Sequence, residues 1–139
     1  MKKIIFLLFL TIGLMGVSAV DNQAKAQDAE GWFAALDTMT NADTATYDLT
    51  VTGAKHSISF QTNILKISGT VGGTINVYGS VDGTNFLTTA IGTQITIANA
   101  SGNYGFTFGD NRYKKYRIVV ITSGTQSCSQ RTRYMYRRQ

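Results

Sequence analysis

The chain of 139 residues has no proline, one cysteine and one histidine, and only 15% of its residues are charged. Without proline, every turn must be made by glycine, asparagine, aspartate or serine. Because Cys128 is alone, an intramolecular disulfide and a metal site built on thiolates are both excluded. We expect Cys128 to be a small buried apolar residue, with pairing to a partner chain as the alternative in an exported protein.

Residues for catalytic or metal chemistry are scarce. The single histidine, His56, begins a predicted strand after a turn, where we expect it to be exposed rather than to act as a general base. A zinc site is not expected from one histidine and no thiolate pair. Asp82 and Asn85 are the alternative for a metal site, since their oxygens could bind calcium. They supply only one carboxylate, however, and that cation takes six or more oxygens. The sequence therefore predicts a protein that is not an enzyme and binds no cofactor.

The N-terminal segment 1–26 has the pattern of an export signal. Two lysines precede an apolar stretch that runs from Ile4 to Val20. This pattern predicts a signal peptide, and cleavage before Gln27 is favoured over cleavage before Val20. Since about 17 apolar residues reach the lower limit for a membrane span, a membrane anchor stays open. An apolar arm that packs into a neighbouring subunit is the third alternative.

The rest of the chain is only mildly basic and alternates in polarity. Residues 27–139 hold ten basic and seven acidic residues, a net charge of +3. From residue 46, short alternating segments are separated by turns about every ten residues, which is typical of strands with one buried face. The sequence predicts eight or nine strands and an all-β fold, an antiparallel β-sandwich that is jelly-roll-like or immunoglobulin-like, preceded by the apolar N-terminal segment. We divide the chain into segment 1–26, an N-terminal arm at 27–45 and the sandwich domain at 46–139.

Two glycine turns are predicted in the middle of the chain. Gly72 and Gly73 have the composition of a two-residue hairpin turn. Asp82 and Gly83 predict a second turn, followed by a short strand that opens at residues 86–87.

The spacing of several apolar residues predicts whether their side chains point toward the core. Leu65 and Ile67 are placed on one inward face, opposed by polar neighbours. The nearly continuous apolar run 116–121 predicts a strand buried on both faces. In the arm, Trp32 and its neighbours at 33 and 36 form either one helical turn or an extended piece lying against the domain.

The last predicted strand, at 127–137, has two different faces. Three arginines occupy one side, and a threonine and two tyrosines occupy the other. The arginine stripe predicts either a surface for an acidic partner or a solvated strand face that resists aggregation. Nucleic acid is not expected as the main partner because the rest of the domain has no basic surface. Exposed aromatic residues can anchor proteins or stack on sugars. The partner-contact candidates are Trp32, Arg131, Arg133, Tyr134, Tyr136, Arg137 and Arg138.

Several short motifs occur in a characteristic order. They are DTMTNADT at 37–44, ISGTVGGT at 67–74, YGSVDGTNF at 78–86, YKKYRI at 113–118 and SGT at 123–125. Together they resemble small β-sandwich domains in virion proteins of tailed and related bacteriophages, many of which infect Bacteroidetes. The resemblance covers roughly residues 37–139. It implies a structural or adhesive role on a particle surface, as capsid decoration, head fibre or tail-associated module, with no catalytic residues.

Two functions follow as expectations. The first is a non-enzymatic bacteriophage virion protein that works as a homo-oligomer on the virion surface, in contact with neighbouring virion or surface subunits. The second is an exported bacterial cell-surface or periplasmic module for adhesion and carbohydrate binding. The signal-like N-terminus favours the second, because a virion protein made in the cytoplasm needs no export. A membrane becomes a partner only if segment 1–26 is retained.

Overall fold

The computed structural model describes residues 29–52, 56–111 and 113–138, so the predicted signal-like segment 1–26 lies outside the described residues. Nine β-strands and no helix occur in these ranges. The strands are β1 (Ala29–Trp32), β2 (Asp37–Thr40), β3 (Thr44–Thr50), β4 (His56–Gly69), β5 (Gly72–Ser80), β6 (Ile95–Thr96), β7 (Gly102–Asn111), β8 (Lys115–Ser123) and β9 (Gln126–Arg138). The predicted all-β fold is confirmed.

The strands form two antiparallel sheets. Sheet A has the order β9-β4-β7, and both β1 and β2 pair with the other side of β9, each with a different half of it. Sheet B has the order β3-β8-β5-β6. From β2 to β9 the chain changes sheet at every step except between β5 and β6. This order is that of a jelly roll, whereas an immunoglobulin-like domain keeps several consecutive strands in one sheet.

The predicted hairpin at Gly72 and Gly73 is wrong. The two glycines are the first residues of β5 and pair with β8, while the preceding strand β4 belongs to sheet A. Gly73 has a φ of 132°, and a Cβ there would lie 2.0 Å from the carbonyl oxygen of Ile121. The glycine is therefore needed for close approach of two backbones. Turn-forming residues indicate where the chain reverses, but they do not indicate which sheet it enters next.

The second predicted turn is present, but the strand after it is not. Gly83 has a φ of 85° in the bend that follows β5. Residues 86–87 lie in a loop, although the Leu87 N–H donates to the Gly79 carbonyl at 2.9 Å. The next strand is β6, which has only two residues. A short pair of apolar residues after a turn is thus compatible with a loop packed on a strand edge.

The core lies between the two sheets and is built by alternate residues. On β8, Tyr116, Ile118 and Val120 are completely buried. The prediction that this strand is buried on both faces is wrong, because Ile121 is 40% exposed and Val119 is half-buried. A sandwich of two antiparallel sheets leaves one face of each sheet toward solvent. Burying each large apolar side chain stabilises the fold by about 1.5–3 kcal/mol.

Strand β4 turns two predicted core residues outward. Leu65 and Ile67 are both 58% exposed, whereas Ile64 is buried. The strand runs without a break for 14 residues and keeps the parity set by its first half, in which the even-numbered residues face the core. Its pairing with β9 shifts between Lys66 and Ser68. The inward placement of Leu65 and Ile67 is therefore wrong, since alternation alone leaves the choice of face open.

The N-terminal arm is extended rather than helical. Trp32 ends β1, and Phe33 follows it in a bend whose N–H donates to the Thr132 carbonyl at 3.0 Å. The Phe33 ring packs against Tyr47 and Tyr134, with ring centroids 5.5 and 5.0 Å away. Of the two alternatives predicted for this segment, the extended arm lying against the domain is the one present. The arm lies against the domain because pairing with β9 satisfies its backbone and places one aromatic side chain on the core.

Candidate interaction surface

The outer face of sheet A carries the exposed candidates. On β9, Cys128, Gln130 and Thr132 are buried and point inward. The intervening residues lie on the outer face of the sheet, where Arg133 stands beside Trp32 of β1 on one side and beside Gln61 of β4 on the other. The predicted separation of the last strand into an arginine side and a threonine–tyrosine side is seen in this pattern.

Two arginines flank the single tryptophan. The Arg131 guanidinium lies 3.9 Å from the centroid of the Trp32 ring, and that of Arg133 lies 5.8 Å from it. Trp32 is 42% exposed. A cation over an aromatic ring at an exposed site contributes about 0.5–1 kcal/mol. This stacking orders three of the predicted contact residues and covers part of the indole with a guanidinium.

The remaining candidates are placed differently. Tyr134 and Tyr136 are half-buried and pack against the core from the inner face of β9. Arg137 is exposed on the outer side. Arg138 ends β9, and its side chain lies outside what the structure describes. Trp32, Arg131 and Arg133 are thus brought together, while the two tyrosines contribute to the sandwich interior.

Three exposed apolar residues on this face were missed by the sequence analysis. They are Leu36, Leu65 and Met135. Met135 shares the parity of Arg131 and Arg133, so the period of β9 contained a signal for it. Leu65 had none, because its own alternation placed it inward. Leu36 could not be placed without knowing that the arm pairs with β9.

Open depressions mark the same face. One of about 350 Å³ is lined by residues that include Gln61, Asn103, Thr107, Arg133 and Met135. Gly105 lies in this lining, and its lack of a side chain leaves room in the row formed by Gln61 and Arg133. These side chains offer amide, hydroxyl and guanidinium groups, so the depression can hydrogen-bond a polar partner.

A second depression, of about 330 Å³, lies toward the other end of the face. It is lined by residues that include Leu36, Leu65, Asn63 and Ser129. The Asn63 Oδ1, Ser129 Oγ and Arg131 Nε atoms are buried and have no hydrogen-bond partner in the described part of the chain. Buried polar atoms are nearly always paired in folded proteins, so each of these three atoms requires an explanation.

The outer face of sheet B has a different electrostatic arrangement. The Asp48 carboxylate accepts two hydrogen bonds from Arg117, at 2.7 and 2.9 Å, and pairs with Lys115 at 3.0 Å. Hydrogen bonding from Arg117 holds the pKa of Asp48 below its usual value. The Arg117 guanidinium also lies 4.0 Å from the centroid of the Phe86 ring. The charges of this cluster are paired with one another.

The residues with catalytic potential are buried or engaged. The prediction that His56 is exposed is wrong: its side chain is completely buried, and its Nε2 lies 2.7 Å from the Tyr116 hydroxyl. It faces inward because it shares the parity of the core residues of β4. Burial lowers the pKa of His56. Cys128 is buried as predicted, and burial raises the pKa of its thiol.

Asp82 does not need a cation to explain its position. Its carboxylate accepts hydrogen bonds from the Ser80 hydroxyl, the N–H groups of Thr84 and Asn85, and the Asn85 amide, at 2.7–2.9 Å. These bonds hold the pKa of Asp82 far below its ordinary value. No group of three or more His, Cys, Asp or Glu side chains suited to a metal ion occurs among the described residues. The same residues include no helix that is long and apolar enough to cross a membrane.

Comparisons with known proteins find similarity in structure alone. No family model matches the chain, and no curated protein matches it. A chain of the infectious bursal disease virus Gx strain matches with a TM-score of 0.56 and 10% identity, over 81% of this chain and 33% of that one. A chain of an infectious bursal disease virus particle matches with a TM-score of 0.57 and 11% identity, over 81% and 31%.

A chain from Bacillus endospore appendages, described as disulfide-linked pili, is also similar. Its TM-score is 0.44 at 13% identity, over 81% of this chain and 89% of that one. This score is too low to show a common fold. The viral chains, of which this chain spans about a third, share its fold. The chain is therefore a β-sandwich whose fold is similar to part of chains from infectious bursal disease virus.

Proposed function

We propose that this protein is a non-enzymatic structural subunit of a bacteriophage virion that decorates the capsid or forms part of a head fibre or tail. The observation that carries the proposal is the jelly-roll strand order, β2-β9-β4-β7 against β3-β8-β5-β6. The similarity of the fold to chains of infectious bursal disease virus supports it. The bacteriophage origin rests on the motif resemblance across residues 37–139.

The state of the reactive side chains supports a role without catalysis. The single histidine is buried against a tyrosine, and the single cysteine is buried. Asp48 forms ion pairs with Lys115 and Arg117. Most enzyme sites combine a concave pocket with accessible titratable groups. Here the depressions of sheet A are lined mainly by amides, hydroxyls, arginine and apolar groups. Such surfaces suit contact with neighbouring subunits.

The partners we propose are copies of the chain and neighbouring virion subunits. The arginines that face outward lie on one strand, next to Trp32, and do not extend across sheet B, where Arg117 is paired with Asp48. Nucleic acid is therefore not proposed as the main partner, since binding it needs a continuous basic footprint. A membrane partner is proposed only for a form that retains residues 1–26.

An exported carbohydrate-binding or adhesion module is the second candidate. The depression lined by Gln61, Asn103 and Thr107 favours it, because amides and hydroxyls are suitable partners for sugar hydroxyls. The position of Arg131 over the Trp32 ring disfavours it, since the guanidinium occupies one face on which a sugar would stack. We therefore place the structural role first.

Immunogold electron microscopy of particles from the producing cells tests the proposal. We expect antibodies against the full chain to label virus particles, and the purified protein to sediment as a multimer. Labelling of the cell envelope alone, together with binding on a glycan array, would support the carbohydrate module. Hydrolysis of a glycan or ester that is lost on His56→Gln would contradict both.

A further inference from the structure

Exposed apolar side chains are concentrated on one face of the molecule. Eight large apolar residues are exposed in the described ranges, and four of them line depressions on the outer face of sheet A. These four are Trp32, Leu36, Leu65 and Met135. The outer face of β8, at the centre of sheet B, exposes only Ile121 among its large apolar residues. Apolar residues that cluster on one exposed face mark interaction sites.

Leu36 and Leu65 lie toward one end of this face, and Trp32 and Met135 lie toward the other. Polar atoms without hydrogen-bond partners lie between these two groups. Asn63 is directly opposite Arg131, and Leu65 is directly opposite Ser129. Ser129 is only 4% exposed, yet its hydroxyl has no partner in the described chain, like Asn63 Oδ1 and Arg131 Nε. One donor, one acceptor and one hydroxyl are therefore available together. A protein surface that brings both donors and acceptors can satisfy all three.

The charges of the face suit a copy of the same face. Glu30 is opposite Met135, and Trp32 is opposite Arg133, so Glu30 and Arg133 lie two positions apart along the strands. In the described part of the chain, neither forms an ion pair. A two-fold axis brings one patch against itself, so the acid of each copy can meet the base of the other. A strongly anionic polymer would instead be repelled by Glu30.

The size of the face is sufficient for a stable pair. Strands lie about 4.8 Å apart and rise about 3.3 Å per residue. Four strands across and the 13 residues of β9 along the sheet give roughly 800 Å². A standard interface buries about 800 Å² on each partner. Tryptophan, methionine and arginine are also the residue types enriched at such interfaces.

We propose that the outer face of sheet A is the surface on which a second copy of this chain packs, with Glu30 of each copy beside Arg133 of the partner subunit. This inference rests on the proposed role as an assembling subunit and names the surface that the assembly uses. Trp32, Leu65 and Met135 supply the buried apolar contacts. The unpaired polar atoms between them form hydrogen bonds across the interface, with Arg131 Nε as a donor and Asn63 Oδ1 as an acceptor.

Charge insertion on each face tests the proposal in the full chain. Met135→Glu and Leu65→Glu place a carboxylate in the proposed interface, and Ile121→Glu is the matched control on the outer face of sheet B. Met135 and Ile121 are 45% and 40% exposed, so the two changes impose a similar demand on folding. Sedimentation velocity over a concentration series measures the dissociation constant, and thermal melts by circular dichroism show that each variant folds.

We expect Met135→Glu and Leu65→Glu to weaken self-association by at least about tenfold, and Ile121→Glu by less than about twofold. Equal effects of the three changes would overturn the proposal, and so would folded sheet A variants that associate like the wild type. If instead the wild-type chain is monomeric at all concentrations and antibodies against it label no virus particles, both this inference and the proposed function fail. Assemblies that survive the sheet A changes refute the inference alone.

Charge reversal in separate copies tests the specific pairing. Glu30→Arg and Arg133→Glu each place two like charges in contact across a two-fold interface, so each variant alone is expected to associate weakly. Mixing the two variants restores opposite charges at both contacts, and we expect a mixed assembly of near wild-type affinity. Native mass spectrometry distinguishes the mixed species from either parent. No recovery on mixing would overturn the proposed pairing.

Discussion

The outer face of each sheet carries an arginine stacked on an aromatic ring, but the hydrogen-bond partners of the two arginines differ. On sheet B, Arg117 lies 4.0 Å from the centroid of the Phe86 ring and is held by Asp48. On sheet A, Arg131 lies 3.9 Å from the centroid of the Trp32 ring, and its Nε has no partner in the described chain. The first arrangement is self-sufficient. The second leaves hydrogen-bonding capacity and apolar area for another molecule, which is why we assign recognition to sheet A.

The largest effect on the free energy of unfolding is expected in the core between the two sheets. Ile118→Ala removes a completely buried side chain at the centre of β8 and lowers the free energy of unfolding by about 2–5 kcal/mol. Ile121→Ala, on the outer face of the same strand, should cost less than about 1 kcal/mol. Urea unfolding measures both. Equal losses would mean that the outer face of sheet B is covered in solution, and the contrast between the faces would then be lost.

The next effect concerns the link between the two sheets. His56 of sheet A contacts Tyr116 of sheet B, and burial lowers the pKa of His56 below the ordinary value of 6.5. The unfolded chain therefore binds more protons, and stability falls as pH drops below about 6.5, by up to about 1.4 kcal/mol per pH unit. Unfolding midpoints from pH 7 to 5 measure the slope. His56→Gln should abolish it, and a slope that persists would assign it to another group.

A smaller effect is expected from the ion cluster of sheet B. Asp48→Asn removes the partner of Arg117 and Lys115 and should lower the free energy of unfolding by about 1 kcal/mol at pH 7, since the pair is bidentate but partly exposed. Because the folded-state pKa of Asp48 is lowered, this contribution is present above pH 4 and disappears as pH falls below that value.

Glu30→Gln is the matched control on sheet A, because Glu30 forms no ion pair in the described part of the chain. At concentrations where the protein is monomeric, this change should leave the unfolding free energy unaltered. A loss equal to that of Asp48→Asn would show that the two faces do not differ in their internal pairing.

The smallest effect is expected at the arginine–tryptophan stack. Arg131→Met keeps an unbranched side chain and removes the guanidinium, which should cost about 0.5 kcal/mol. Since Trp32 is the only tryptophan, its fluorescence reports on this face directly. We expect emission at longer wavelength in the variant monomer because the ring becomes more hydrated. An unchanged spectrum would indicate that the stack is not maintained in solution.

The inward face of a strand was predictable where the alternation of apolar and polar residues within that strand was sufficient to identify it. The alternation that begins at residue 46 identified the inward face of β3, because residues two apart on a strand share a face, and Leu49 on that face is buried. The faces of Leu65 and Ile67 were not predictable, since a one-residue shift exchanges the two sides of a strand and only pairing with β9 selects one.

The candidate surface was predictable in part for the same reason. The arginine stripe of β9 was visible in its period of two. Its meeting with Trp32 was not, because β1 pairs with β9 across about a hundred residues of sequence. His56 was misjudged because a position at the start of a strand does not indicate whether the side chain points inward.

The sequence by itself determined that this protein is made of short alternating strands joined by glycine-, asparagine- and aspartate-containing turns, because those preferences act over a few residues. Only the tertiary structure decided which sheet each strand enters, since that choice depends on contacts between distant residues. Gly73 shows the division clearly: its backbone angle is a local property, but the Ile121 carbonyl that excludes a side chain there belongs to a strand almost fifty residues away. The face that we propose for self-association likewise depends on these contacts between distant residues, since β1 pairs with β9.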